Sequence, residues 1–96
     1  DLLREVVGQA LLETPEIKTQ LQDLIREERL EPLARVAHTM KSVASVFASV
    51  KTEDAAAAIE EAAFGNDLEA ATRHLPQLLQ SIDDLILQCA DFTATD

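Results

Sequence analysis

Glycine, proline, cysteine and aromatic side chains are all scarce in this chain of 96 residues. It has 2 Gly, 3 Pro and 3 Phe, with no Trp or Tyr. Apolar–polar alternation bounded by Gly or Asn turns is absent, which argues against a sheet-built fold. One Cys cannot form an internal disulfide, and no Cys/His spacing of the zinc-binding kind exists. Bases are few as well: 8 Lys and Arg against 18 Asp and Glu leave a net charge of −10. That balance disfavours nucleic acid as a partner, because phosphate neutralisation by Lys and Arg supplies most of such affinity. No apolar run approaches the ~20 residues of a membrane span. What is plentiful is Ala, 15 residues, and Leu, 14, in a chain that is 47% apolar. That fraction is too high for a disordered acidic tail. The expectation is one small soluble domain over residues 1–96, in the reducing cytoplasm, with a core of Leu, Ala, Val and Ile on interlocking helices.

Helical spacing divides the chain into four or five stretches. Leu3, Val6, Val7 and Ala10 share a face of a first stretch, Leu2 to Leu12. Thr14-Pro15-Glu16 then has the form of a new start, with Thr14 as cap and Pro15 in the first turn. A second helix carries Ile17, Leu21, Leu24 and Ile25 to about Glu28, unless the two stretches are one helix bent at Pro15. A third is expected from Glu31 to Val50. A fourth is expected from a Thr52 cap to Phe64, where Gly65-Asn66 reads as a stop. Asp67 caps the last helix, which Pro76 should kink, and residues 91–96 should fray. Short connections make neighbours antiparallel. The fold class is therefore all-α, an antiparallel up-down four-helix bundle with an additional N-terminal helical stretch.

The third helix carries a histidine that packing does not explain. On a wheel at ~100° per residue, Leu33, Val36, Ala37, Met40, Val43, Ala44 and Phe47 form the buried arc. His38 points almost the opposite way, with Ser42, Ser45 and Ser49 on its face and Arg35 and Lys41 beside it. Small neighbours leave the ring standing clear, and Lys41, one turn on, can lie beside whatever the ring carries. Such an imidazole suits nucleophilic attack on a phosphoryl group. On the wheel alone, a polar residue on a wet face explains His38 equally well.

The flanking residues carry more. Ala37-His38-Thr39-Met40-Lys41-Ser42 resembles the phosphoacceptor motif of histidine-containing phosphotransfer (HPt) domains: His, any residue, an aliphatic or Met, Lys, then a small residue, usually Gly. Glu13-Thr14-Pro15-Glu16 with Leu21, Leu24 and Ile25 looks like the family's preceding helix. Ala57 to Ala63 followed by Gly65-Asn66-Asp67 looks like its next helix and turn. Ser42 and Ala48 stand where Gly is usual. Ser42 could crowd an approaching partner, and Ala48 is expected only to tighten the helix end.

The resemblance implies a phosphorelay intermediate. His38 would accept a phosphoryl group from a receiver-domain aspartate, through the ring nitrogen farther from the backbone, and pass it to another receiver. Lys41 would supply phosphate electrostatics. Ala34, Arg35, Ser42 and Ser45 would meet the partner, with the two serines keeping the surface low rather than binding phosphate. The domain itself would hold no metal or cofactor, Mg²⁺ belonging to the receiver, and would have no kinase or hydrolase site of its own. A hybrid sensor kinase could share its chain, and the start at Asp1 rather than Met reads as a piece trimmed from a longer protein. The competing function is a non-catalytic helical adaptor, a degenerate HPt domain that binds a receiver or dimerises without carrying phosphate.

Other residues have plainer readings. His74 sits at the edge of an apolar stripe without a following Lys, as a boundary residue. Cys89 behaves as a small hydrophobe, and Phe47, Phe64 and Met40 belong to the core. Glu60-Glu61 and Asp83-Asp84 diverge by ~100° about their helix and read as solvated faces. Arg26 and Arg29 form either a docking rim, slightly favoured, or surface ion pairs. Charge is uneven: residues 1–50 hold 8 acids and 6 bases, and residues 51–96 hold 10 acids and 2 bases. The half with His38 is nearly neutral, which suits the handling of an anionic group.

Overall fold

A computed structural model describes residues 2–94. Four helices follow one another: α1 (Leu2–Arg26), α2 (Leu30–Val46), α3 (Val50–Phe64) and α4 (Leu68–Ala94). Each packs mainly on the next, and α4 returns to α1, so the chain closes an up-down bundle 44 × 21 × 19 Å in extent. This is the expected all-α bundle, with the additional N-terminal stretch fused into α1. Pro15 lies inside that continuous helix, and Thr14 is buried against the bundle rather than capping a break. At ~1.5 Å per residue, α1 and α4 outreach the shorter α2–α3 hairpin at the end where that hairpin turns.

The core is where the spacing put it. Leu21, Leu33, Met40, Ile59, Leu78 and Ile82 have no exposed surface, and Ala37, Ala44, Ala56 and Ala71 fill the closest approaches. Cys89 is buried at the end of this cluster, and burial pushes its thiol up in pKa, away from reactivity. Phe47 packs against the core as expected. Phe64 does not: as the last residue of α3 it projects past the bundle and is 76% exposed.

The three connections share one geometry. In each, the second residue after a helix adopts the left-handed conformation: Glu28 (φ 58°), Ala48 (φ 55°) and Asn66 (φ 56°). The N–H of Arg29, Ser49 and Asp67 reaches back to the carbonyl of Leu24, Ala44 and Ala62, each at 2.9 Å. These bonds satisfy the orphan carbonyls of the helix end, a Schellman arrangement. Asn tolerates this conformation, whereas Glu and Ala are strained in it by roughly 1–2 kcal/mol. Ala48 therefore does not tighten a helix end. It occupies a backbone position that favours glycine.

Several boundaries differ from expectation for the same reason. α2 stops at Val46 instead of Val50, because the turn is made by Phe47, Ala48 and Ser49. α3 consequently starts two residues before Thr52, with Ser49 at its N-cap position. Thr52 lies inside the helix, where its buried hydroxyl donates to the Ser81 carbonyl at 3.3 Å and accepts from Ser49 at 2.9 Å. Asp67 does cap α4, its Oδ1 accepting from the Ala70 N–H at 3.0 Å. α4 is continuous through the exposed Pro76 and runs to Ala94, taking in residues 91–94 of the stretch expected to fray. Thr95 and Asp96 lie outside the described residues.

Candidate functional site

Because α2 turns its apolar arc inward, residue 38 faces outward at mid-helix, and the His38 side chain is 61% exposed. Its ring is nevertheless held. Glu60 reaches across from α3 and places Oε2 2.8 Å from His38 Nδ1, while its Oε1 accepts from Lys41 Nζ at 3.0 Å. One carboxylate thus bridges two residues one turn apart on the neighbouring helix. Glu60 is itself well covered, its side chain only 13% exposed.

The electrostatics of this bridge settle the state of the carboxylate. Partial burial alone would push the Glu60 carboxyl up. The hydrogen bonds from Lys41 and His38 and their charges outweigh that and hold it below its ordinary range. Glu60 is therefore ionised at neutral pH, and an ionised carboxylate only accepts hydrogen bonds. Nδ1 must carry the proton. In the neutral ring Nε2 then holds the free lone pair, on the side of the imidazole away from Glu60. An oriented, solvent-facing nitrogen nucleophile with a fixed tautomer is what this geometry provides.

The surroundings keep approach to the ring open. Ser42 and Ser45 are exposed, and with Lys41, Val46 and Glu53 they line a shallow groove beside the histidine. The Ser42 hydroxyl donates to the His38 carbonyl at 3.2 Å, so it folds back on its own helix. Arg35 is exposed one turn before His38. Ala34 is a correction: at 3% exposure it belongs to the core, so its side chain cannot touch a docking protein. Arg26 pairs with Asp23 at 2.6 Å and Arg29 loosely with Glu27 at 4.0 Å, so both are engaged in surface ion pairs. His74 lies half-buried in a different groove, between α3 and α4, lined by Glu61, Asp67 and Ala70 among others.

Glu60 is the residue that sequence reasoning missed. Read as half of a solvated pair, it is the most deeply set charged group at the site. Hairpin arithmetic contains the signal. With the turn centred on Ala48, residues near Ala58 come level with His38, and Glu60 lies one position after the core residue Ile59. Running α2 on to Val50 shifts that register by several residues and places His38 opposite the end of α3 instead.

A four-helix bundle that presents an oriented, solvent-facing imidazole with a lysine one turn on defines a class: helical modules built around a surface histidine. The family model described as Hpt domain matches residues 5–88, and the chain belongs to that family. Its members serve phosphotransfer in two-component systems, where they interact with response-regulator receivers. No curated protein and no solved structure matches the chain. Among the described residues, no helix is long and apolar enough to cross a membrane.

Proposed function

We propose that this domain is a phosphorelay intermediate that takes a phosphoryl group from a receiver aspartate onto His38 and passes it to another receiver. The Nε2 lone pair attacks the phosphorus in line as the bond to the aspartyl oxygen breaks, and the aspartate leaves as a carboxylate. The ring becomes cationic in this step. Glu60 at Nδ1 offsets that charge while keeping the proton on the nitrogen that does not react. Lys41 adds a positive charge beside the acceptor. Mg²⁺ and the remaining catalytic groups belong to the receiver. Ser42, Ser45 and Arg35 belong to the surface the receiver covers, in the cytoplasm. The onward step is the same reaction reversed, with a second receiver's aspartate as nucleophile.

The observation that carries this reading is the 2.8 Å contact between Glu60 and Nδ1 of a ring that is otherwise open to solvent. A histidine that was merely polar on a wet face would need no such orienting partner. The test is incubation with phosphorylated receivers of the same organism. Acid-labile, base-stable label should appear on the protein and vanish in His38→Gln. Label that persists in that variant would move the acceptor elsewhere. No label from any receiver would favour a domain that docks without carrying phosphate.

A further inference from the structure

Lys41 is not a free cation: its ammonium is already bound to Glu60 at 3.0 Å. With His38 neutral, the charges of Glu60 and Lys41 cancel. Transfer makes the ring cationic and brings roughly −1.5 to −2 on the phosphoryl group, so the one net positive charge of the trio answers it only in part. Of the other described bases, Lys18, Arg26, Arg29 and Lys51 are each near an acid of their own. Arg35 and Arg73 make no ion pair with any described residue. Arg73 lies on α4, which packs mainly on α3 and α1 rather than beside His38. Arg35 stays unpaired although Glu31 lies one turn before it.

Position singles out Arg35 as well. At 3.6 residues per turn, Lys41 lies about 60° around α2 from His38 on the side of α3, and Arg35 about 60° on the other side. Glu60 draws Nδ1 towards α3, so Nε2 faces away from it. Both side chains lean alike towards the helix N-terminus, so their separation stays close to that of their Cβ atoms. Residues three apart have Cβ atoms roughly 5–6 Å from each other, within reach of a guanidinium. A planar guanidinium also offers paired donors to phosphate oxygens.

Resting on the acceptor reading above, we infer that Arg35 is the residue that binds the phosphoryl group on His38, while Lys41 remains committed to Glu60. The two cations thereby divide the work: one sets the state of the ring through its carboxylate, and the other contacts the transferred group. Arg35 then acts on the phosphoryl group directly and not only on the docking protein.

Potassium phosphoramidate separates these roles, because it is a small donor that needs no docking. The Nε2 lone pair forms the new N–P bond, the donor's P–N bond breaks, and ammonia leaves with the bonding pair. In a His74→Gln background His38 is the only histidine, so labelling reports one site. At low salt Arg35→Gln should be labelled about two- to fivefold more slowly, the scale of an exposed charge pair, and Arg35→Lys should keep most of the rate. The difference should close near 1 M salt, where the screening length falls to about 3 Å. Melting temperature should not change, since Arg35 is exposed and unpaired with any described residue. An Arg35→Gln rate equal to wild type would overturn the inference, as would a deficit that survives high salt or comes with a lower melting temperature. Failure of receivers and phosphoramidate alike to label His38 in the wild type would strike the acceptor reading itself, and this inference with it.

Discussion

The two histidines of this chain make a natural experiment. His38 stands out from α2 with Nδ1 fixed by Glu60 and with Lys41 and Arg35 one turn to either side. His74 lies half-buried in the groove between α3 and α4, close to Glu61 and Asp67 and without a hydrogen bond to any described residue. The imidazole is the same in both places. What differs is that one has a carboxylate that fixes its tautomer and cations that welcome an anion, and the other has acidic neighbours that repel one. In the proposed reading, reactivity at His38 is a property of the α2–α3 hairpin rather than of the residue.

The largest expected effect tests that contrast outright. His38→Gln should abolish phosphoryl uptake from a receiver, and His74→Gln should leave it at the wild-type level, as read by acid-labile label. Equal loss in both variants would erase the distinction. Next comes Glu60→Gln, which removes the charge but keeps the shape. Loss of a charge-assisted hydrogen bond of about 1.5–3 kcal/mol should slow transfer roughly ten- to a hundredfold. ¹⁵N NMR of the ring should show the Nε2–H tautomer gaining at the expense of Nδ1–H. An unchanged tautomer ratio would mean that Glu60 does not orient the ring. The same group sets a pH dependence. Because its folded pKa is depressed, the stability it contributes is present above the ordinary carboxylate value of 4.5 and is lost as pH falls through the lower folded value. Thermal melts across that acidic range should fall more steeply for the wild type than for Glu60→Gln.

Lys41→Ala should act more gently. Its side chain is 34% exposed and off the apolar arc, so the fold should survive. Glu60 should become easier to protonate, and transfer should slow by about two- to fivefold, on the scale of a solvent-screened pair. Stopped-flow transfer from a labelled receiver measures this, and an unchanged rate would remove Lys41 from the mechanism. The smallest effect lies outside the site, in the turn that sets its register. Ala48→Gly should relieve the left-handed strain and stabilise the domain by about 0.5–1 kcal/mol, net of the entropy that glycine costs. In a domain of this size that is a few degrees in melting temperature, about 4–8 °C per kcal/mol. A melting temperature that falls would show that the turn is not strained.

The parts of the molecule that could be read from the chain were those governed by local chemistry. The period of Leu33, Val36, Ala37, Met40 and Ala44 marks the inner face of α2 whatever it packs against, so His38 had to point outward. Asp67 caps α4 through a hydrogen bond within one turn of helix. Helix ends were harder. Glu28 and Ala48 are poor residues for a left-handed turn, so no glycine announces where α1 and α2 stop. Tertiary packing holds these residues in a conformation their own preferences oppose. Phe64 and Ala34 were misplaced for a related reason. An apolar residue at a helix end projects past its neighbours, and a small one four residues before an exposed histidine is buried where α3 crosses close.

The amino-acid sequence by itself determined that this is an acidic, all-α bundle with a histidine on an outer face and a lysine one turn on, because periodicity and local capping follow from the chain's own geometry. Only the tertiary structure decided which nitrogen of that histidine is free. The answer depends on Glu60, 22 residues away. Its carboxylate comes level with the ring only once the turn at Ala48 has set the register of α3 against α2.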